Sequence, residues 1–303
     1  MTQDLGQRPA LQRVVVHVAV RTVRGAPAGG VLLDAAGVLP HAVLAHGETP
    51  AAAARRAVGL PVVTGAVLAV DDGVRRAAVP AGGVEAAAGE DGVDEVDVHS
   101  VHVVLAADLP SSPEELPPPL RWAPVPGGWP LAADADVAVE QAELARSLPP
   151  ADPRTPVVRQ RLACYAVVLG DDALLLTRLS PLTPSPGRWT LPGGGVDHGE
   201  HPLAAVVREV HEETGMDVEV DGLADIAAEH FTGRSPRGVL EDFHAVRILV
   251  TATPLQVREP EVLDVGGSTD LARWVPLAEA ESVGLVAVAH RGLQIALAAQ
   301  RAG

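Results

Sequence analysis

Three glutamates in the second half of the chain have a spacing that can bring carboxylates together. Glu212 and Glu213 follow Glu209 by three and four residues, so in a helix all three project from neighbouring positions on one surface. Like charges at that separation repel unless a cation offsets them. Magnesium accepts carboxylate, water and phosphate oxygens, so the spacing indicates a magnesium site that could act on a phosphate compound. The alternative is a solvated acidic surface, which is the commoner use of such a run.

The segment around these glutamates carries the signals of an amphipathic helix. Pro202 suits the first turn, and Gly215 suits the position just past the last turn. Between them the apolar residues recur at three and four positions, which defines one buried face. These residues are Leu203, Val206, Val207 and Val210. The pattern predicts a helix of about three to four turns.

Glycines before this helix complete a longer pattern. Residues 192–195 form a loop whose permissive backbone can approach a ligand or a metal closely. Gly194, Glu200 and residues 208–216 fill every fixed position of G-x5-E-x7-R-E-U-x-E-E-x-G-U, where U is apolar. This pattern resembles the Nudix box, the signature of the Nudix hydrolase family, and the match has no departures.

The resemblance implies an α/β/α sandwich fold with a mixed sheet, and metal-dependent cleavage of a nucleoside diphosphate linked to another moiety. Its implied metal ligands are Glu209, Glu212 and Glu213. The implied ion is Mg²⁺, for which Mn²⁺ could substitute, with a main-chain carbonyl near Gly194 as a further ligand. Arg208 would orient the glutamates through charge-assisted hydrogen bonds. The implied partner is a small nucleotide-type substrate.

Other residues are candidates for contact with the substrate. Arg178 and Arg188 lie near the entry to the box and could contact a phosphate, although surface arginines are far commoner. Trp189 could stack on a base, and a buried structural role is the alternative. Nudix enzymes often recruit one more carboxylate from a downstream segment. The candidates, which the spacing does not rank, are Glu229, Glu241 and Asp242.

The region of the box has a counterpart in the first half of the chain. Residues 39–58 repeat residues 191–210 at a constant offset of 152, and Arg121-Trp122 repeats Arg273-Trp274 at the same offset. Such a repeat indicates an internal duplication. It predicts two tandem Nudix-like α/β/α domains with mixed sheets. The predicted bounds are 1–148 for a degenerate domain, about 149–156 for a Pro-rich linker and 157–303 for a catalytic domain.

The two halves differ where the chemistry is expected. Ala57 stands at the position of Glu209, and the four residues that would include the equivalents of Glu212 and Glu213 are missing after Val58. We therefore expect the N-terminal half not to hydrolyse substrate by this route. It could pack as an intrachain pseudo-dimer partner, complete a substrate pocket or bind a ligand, and a homodimer is a further possibility.

Composition restricts the partners. The 303-residue chain has a net charge of −16, which disfavours polymeric nucleic acid and anionic membranes. The N-terminus lacks the order of a signal peptide, and no apolar run reaches the roughly eighteen residues of a membrane span. The single cysteine, Cys164, cannot form an intrachain disulfide, which fits a cytoplasmic location.

Two other classes of function stay open. A Nudix-like domain can bind or sense a nucleotide derivative without cleaving it, and the loss of the carboxylates makes this reading apply best to the first half. A prenyl-diphosphate isomerase resembles Nudix proteins in fold but relies on an active-site cysteine, for which Cys164 is the sole candidate. An intact set of box glutamates favours hydrolysis in the second half.

Apolar and β-branched runs predict the remaining elements. The predicted strands are 14–22, 31–34, 162–170 and 173–178. Besides the helix of the box, the predicted helices are an Ala-rich one that ends at Val58 and two over 136–146 and 283–300. Residues 231–240 are predicted to form a loop.

Overall fold

The computed structural model describes residues 10–22, 30–78, 95–110, 116–124, 128–133, 154–235 and 238–302, together with Val137, Val139 and Glu143. The chain divides into two compact units. Unit 1 comprises Met1–Gln160, Ala228–Gly233 and Leu240–His244. Unit 2 comprises Arg161–Ala227, Arg234–Val239 and Ala245–Gly303.

The N-terminal part of the chain forms two sheets and one helix within unit 1. Its elements are β1 (Ala10–Thr22), β2 (Gly30–Leu33), β3 (His41–Val43), α1 (Pro50–Val58), β4 (Val63–Ala78), β5 (Glu95–Asp108) and β6 (Arg121–Pro124). The larger sheet has the order β3-β1-β5-β4, in which β1 and β5 are parallel and the other pairs antiparallel. β2 pairs with β6 separately. Valine-rich β1 and β5 supply most of the core because β-branched side chains pack well on a pleated surface.

The rest of the described chain builds a third sheet, of seven strands. Its elements are β7 (Val157–Gly170), β8 (Ala173–Leu179), β9 (Trp189–Thr190), β10 (Gly193–Gly195), α2 (Pro202–Thr214), β11 (Val218–Arg234), β12 (Leu240–Pro254), β13 (Thr269–Pro276), a 3-10 helix (Ala280–Val283) and α3 (Ala287–Ala302). The strand order is β11-β12-β7-β8-β13, with β10 added beside β7 and β9 beside β8. Residues 193–195, which the sequence predicted as part of a loop, therefore form a strand paired with β7.

An apolar cluster fixes the elements around the box in unit 2. Leu191, the residue at the entry to the box, is fully buried among Leu174 and Leu176 of β8 and Leu293 of α3. Burial of an aliphatic side chain is worth about 1.5–3 kcal/mol. The cluster therefore holds the residues before β10 in place, so that the backbone of the box is anchored to the sheet.

Mixed α/β sheets agree with the predicted class, and most predicted strands are present with longer ends. The loop predicted over 231–240 is wrong at both ends, since β11 continues to Arg234 and β12 begins at Leu240. Phe231 and Phe243, one on each strand, lie with their ring centroids 5.4 Å apart in a tilted arrangement. Residues 136–146, predicted to be a helix, lie mostly outside the described residues.

The last predicted helix begins later than its sequence pattern indicated. Residues 280–283 form a 3-10 helix that ends at Gly284, whose φ of 82° is left-handed, and α3 begins only at Ala287. The backbone of Leu285 between them makes an isolated bridge with Trp189.

None of the helices among the described residues combines the length and the apolarity that crossing a bilayer requires.

Candidate active site

The helix that carries the three glutamates has well-defined ends. α2 begins after His201, whose Nδ1 accepts a hydrogen bond from the amide of Leu203 at 3.1 Å. It ends at Gly215, which has a left-handed φ of 68° and donates its amide to the carbonyl of His211 at 2.8 Å. The buried residues Val206 and Val210 face the core of unit 2. Glu209 and Glu212 are thereby fixed on the remaining surface of the helix.

Arg208 connects three of the four carboxylates of the box. Its guanidinium donates to both oxygens of Glu200, at 2.8 and 2.9 Å, which is a bidentate pair. It also donates to Glu209 at 2.9 Å and to Glu212 at 3.1 Å. A further bond to the carbonyl of Gly195, at 3.3 Å, links the arginine to β10. The hydrogen bond to Glu200 is the main cause that raises the pKa of Arg208, so the arginine stays charged.

The fourth carboxylate, Glu213, is turned into the interior of unit 2. Only 5% of Glu213 is exposed, against 44% of the Glu212 side chain. Oε1 of Glu213 accepts from the hydroxyl of Thr269 at 2.5 Å and from Ser268 at 3.3 Å, and Oε2 accepts from the amide of Gly193 at 3.1 Å. Burial, which outweighs these hydrogen bonds, raises the pKa of Glu213 to about 7.

The environment of Glu213 predicts a pH dependence for the metal-free protein. An unfolded glutamate titrates near 4.5, so between about pH 4.5 and 7 the unfolded chain releases this proton while the folded chain keeps it. This contribution to stability is complete below pH 4.5 and is lost as the pH rises through about 7. The loss in the free energy of unfolding over this range is about 3 kcal/mol.

Glu213→Gln should remove that part of the pH dependence, because glutamine does not titrate. The measurement is the free energy of unfolding in EDTA at pH 5 and pH 8 for both proteins, so that all other titrating groups cancel. We expect the wild type to lose more stability than the variant between the two pH values. Equal losses would show that Glu213 titrates normally in the folded state.

Gly194 lies directly against Glu209. A Cβ built on Gly194 would be 2.5 Å from the carboxyl carbon of Glu209, so a larger residue would force the carboxyl end of Glu209 to move. Gly194 pairs with Cys164 across the antiparallel β10 and β7 strands, which fixes its backbone. Burial raises the pKa of Glu209, and the neighbouring Arg208 opposes that rise. The predicted glycine and glutamate of the box are therefore in contact.

The two arginines that were predicted to contact phosphate bond to other groups of the protein in this structure. Arg178 donates to Asp270 at 2.8 Å in an exposed ion pair. Arg188 donates to the carbonyls of Gly284 and Leu285 at 2.7 and 2.5 Å, which fixes the start of the last helical region. Trp189 is buried under the guanidinium of Arg273, 4.7 Å from its ring, which is the structural alternative that the sequence allowed.

The three candidates for a downstream carboxylate belong to unit 1, unlike the box. Glu241 lies 3.7 Å from Arg159. Asp242 accepts a hydrogen bond from His230 at 2.6 Å. Glu229 is exposed on β11. That one of them takes part in hydrolysis stays a prediction.

Several residues around the box were not predicted from the sequence. Thr177, Ser268 and Thr269 bond Glu213 from β8 and from the start of β13, and the side chain of Arg161 lies within 3 Å of the Cβ position of Gly195. Their sequence separation from Glu213 reaches 56 residues, and hydroxyl side chains are too common to indicate a site. Only the strand pairing brings them to the helix.

A cavity of about 460 Å³ lies beside the residues that hold Glu213 and Arg178. Its lining includes Thr269, which bonds Glu213, and Asp270, which bonds Arg178. Its wall also contains exposed apolar residues, of which Leu182 is 64% exposed. This volume falls within the usual range for small-molecule sites.

Cys164 is not placed for nucleophilic chemistry. It is fully buried in β7, and burial raises the pKa of its thiol to about 12. A thiol reacts as the thiolate, which is scarce at neutral pH when the pKa is so high. This argues against the isomerase alternative.

The contacts of Arg208 have a counterpart in unit 1. Arg56 donates to both oxygens of Glu48, at 3.1 and 2.7 Å, and to the carbonyl of Val43 at 2.7 Å. The offset of 152 residues relates these three positions to Arg208, Glu200 and Gly195. α1 has nine residues and α2 has thirteen, so the shorter helix lacks the turn that carries Glu212 and Glu213.

Comparison with known proteins gives the class of the protein. Residues 159–293 match the model of the NUDIX domain. The chain is 33% identical over 132 residues to a putative 8-oxo-dGTP diphosphatase 2 of Mycobacterium tuberculosis. This alignment covers 39% of this chain and 91% of that relative. The chain therefore belongs to the Nudix hydrolase family, and its similarity to a relative named as a diphosphatase supports hydrolase activity.

Two further matches are a short sequence match and a match to a solved structure. Over 32 residues the chain is 59% identical to an RNA pyrophosphohydrolase of Agrobacterium fabrum, covering 11% of this chain and only 19% of the length of that relative. A NUDIX hydrolase structure from Nitrosomonas europaea has 22% identity and a TM-score of 0.37, and the match covers 46% of this chain and 90% of that one.

Proposed function

We propose that unit 2 hydrolyses the diphosphate bond of a nucleoside diphosphate linked to another moiety, and that Mg²⁺ is required. The observation that carries this proposal is the arrangement on α2. Arg208 holds Glu200, Glu209 and Glu212 together, and Glu213 lies buried behind them. A purely solvated acidic surface would not need a buried, hydrogen-bonded carboxylate next to it.

The donor set fits a hard divalent cation. Three carboxylates share the guanidinium of Arg208, which leaves negative charge that a cation can offset. Glu209 and Glu212 offer carboxylate oxygens, and the family resemblance implies a main-chain carbonyl near Gly194, which lies against Glu209, as a further ligand. These are the oxygen ligands that Mg²⁺ takes in proteins, with Mn²⁺ as a substitute. When bound, the ion would neutralise charge on the diphosphate and lower the pKa of a coordinated water.

The residues of the chain then have separate roles. Arg208 positions the carboxylates of Glu209 and Glu212, and its bond to Gly195 keeps α2 in register with β10. Glu213, whose pKa is near 7, can hold or release a proton at its carboxylate close to neutral pH. Ligation of a metal by Glu213 would require Thr269 to release Oε1. Glu200 lies just before the N-terminal end of the helix and binds Arg208.

The cavity lined by Thr269 and Asp270 is the proposed site for the moiety attached to the diphosphate. It has room for a nucleoside-sized group. Its lining includes Thr269, which bonds Glu213, and Asp270, which bonds Arg178. Arg178 is 39% exposed and could exchange Asp270 for a phosphate. The names of the relatives favour nucleotides, and that of the mycobacterial relative includes an oxidised deoxyguanosine triphosphate.

We propose in addition that the N-terminal half is a second, degenerate Nudix-like domain, with boundaries near 1–148 and 157–303. The recurrence of the Arg56–Glu48 pair and of its bond to Val43 supports this, because it repeats the framework of the box without the chemistry. Ala57 stands in the position of Glu209, so we expect this half to bind or to support rather than to hydrolyse.

Product analysis on a panel of nucleotides tests the proposed function. The full chain is incubated with Mg²⁺ and ADP-ribose, a nucleotide sugar, a dinucleoside polyphosphate or 8-oxo-dGTP, and nucleoside monophosphate and phosphate are measured. We expect at least one compound to release a nucleoside monophosphate. If folded protein binds a compound of the panel but cleaves none, a sensing role is the better account.

A further inference from the structure

A second group of potential metal ligands lies in unit 1. One ligand atom from each of His46, His230 and Asp242 lies within 4.8 Å of the others. Nε2 of His230 is 2.6 Å from Oδ1 of Asp242, and Nε2 of His46 is 3.4 Å from Oδ2. Each oxygen of the carboxylate therefore faces a different imidazole.

The backbone brings these three side chains together. β11 and β12, which carry His230 and Asp242, are neighbours in the sheet. His46 precedes Gly47, which has a left-handed φ of 76°. A Cβ on Gly47 would lie 3.1 Å from Nδ1 of His230, so the glycine turn allows the ring to approach closely.

A third imidazole packs against the group without being available as a ligand. His244 is buried, and its ring centroid is 5.4 Å from that of His46 in an edge-to-face arrangement. Its two ring nitrogens bond the carbonyl of Glu48 and the side chain of Gln160, each at 3.0 Å. Both ring nitrogens are therefore occupied within the protein, and His244 supplies no ligand.

We propose that His46, His230 and Asp242 bind a divalent transition-metal ion of the zinc type. Two imidazole nitrogens and one carboxylate oxygen form a ligand set that such ions favour, whereas Mg²⁺ prefers oxygen alone. A simple ion pair would require only one histidine beside Asp242. Three protein ligands leave room in the coordination shell for a water or another small ligand.

The site is accessible to an ion. His230 is 42% exposed and Asp242 27%. His46 also lines a cavity of about 230 Å³ whose walls include Arg13, Arg159 and Gln160. The cavity has room for the water that would complete the coordination.

Zinc binding to the full-length chain tests the site. The protein is freed of metal, supplied with excess Mg²⁺ to occupy oxygen-rich sites, and titrated with Zn²⁺ against a chromophoric chelator. Cobalt titration follows in parallel, because nitrogen ligands in a low-coordinate site give Co²⁺ a strong visible spectrum. We expect one Zn²⁺ equivalent whose affinity falls at least about tenfold to a hundredfold in His230→Gln and in Asp242→Asn, with loss of the cobalt spectrum.

Controls separate this site from the box and from ordinary histidines. His290→Gln alters an exposed histidine of α3 and should leave zinc affinity unchanged. Glu212→Gln alters the box and should leave it unchanged as well. Far-UV circular dichroism and the Tm without metal check that His230→Gln and Asp242→Asn fold. Undiminished zinc affinity in both folded variants, or a loss confined to Glu212→Gln, would overturn the proposal.

Discussion

Replacing Glu212 with glutamine is expected to lower kcat for the compound that the chain cleaves by about a hundredfold to a thousandfold. The charge stabilisation that a metal ligand secures is worth several kcal/mol, and each 1.4 kcal/mol corresponds to a factor of ten in rate. The side chain of Glu212 is 44% exposed, so its replacement should not disturb the fold. The measurement is steady-state turnover at saturating Mg²⁺. Glu209→Gln should behave in the same way.

Glu219→Gln is the matched control, since Glu219 is an exposed glutamate just beyond α2. It should retain wild-type kcat. A raised requirement for Mg²⁺ in Glu212→Gln, with partial recovery at high Mg²⁺, would point to weakened metal binding. Unchanged kcat and unchanged Mg²⁺ dependence in Glu212→Gln would exclude this residue from the site.

Gly194→Ala is expected to reduce kcat by about a hundredfold with little loss of stability. The added methyl group would lie 2.5 Å from the carboxyl group of Glu209, so the flexible end of the glutamate must move. A displacement of about 1 Å in a catalytic group can cost a factor of a hundred. Turnover and the free energy of unfolding, measured on the same preparations, separate the two effects.

Gly222→Ala provides the control for Gly194→Ala, because nothing lies within 4 Å of its Cβ position. We expect its turnover to match the wild type. If Gly194→Ala also kept wild-type turnover, close contact between β10 and Glu209 would have no role in catalysis.

The helix of the box could be predicted from the sequence because its signals are local. Pro202 and Gly215 mark its ends, and the apolar period between them gives its buried face, all within fourteen residues. These features depend on neighbours along the chain, which a sequence displays directly.

The surroundings of Glu213 could not be predicted in the same way. Its partners Thr269 and Ser268 come from the start of β13, and only the pairing of β13 with β8 brings them to α2. The acidic spacing of the box gave no reason to expect that Glu213 turns inward while Glu212 stays exposed. Long-range strand pairing decides that difference, and with it the raised pKa of Glu213.

The comparison of the two halves shows which parts of the box support the framework. Glu48 and Arg56 repeat the pair formed by Glu200 and Arg208, including the link to the neighbouring strand. This pair joins the loop before the helix to the helix itself in both places. The pair has the same geometry in both halves although the first helix is shorter, which indicates a structural role. The carboxylates of the last turn of α2 belong to the proposed chemistry.

The metal requirement of hydrolysis tests the central claim most directly. The full-length wild type is treated with EDTA, dialysed, and assayed on the nucleotide panel without metal and after stepwise addition of Mg²⁺. The account predicts no release of nucleoside monophosphate without metal and full turnover once Mg²⁺ is restored. Equal turnover in EDTA and in Mg²⁺ would contradict it.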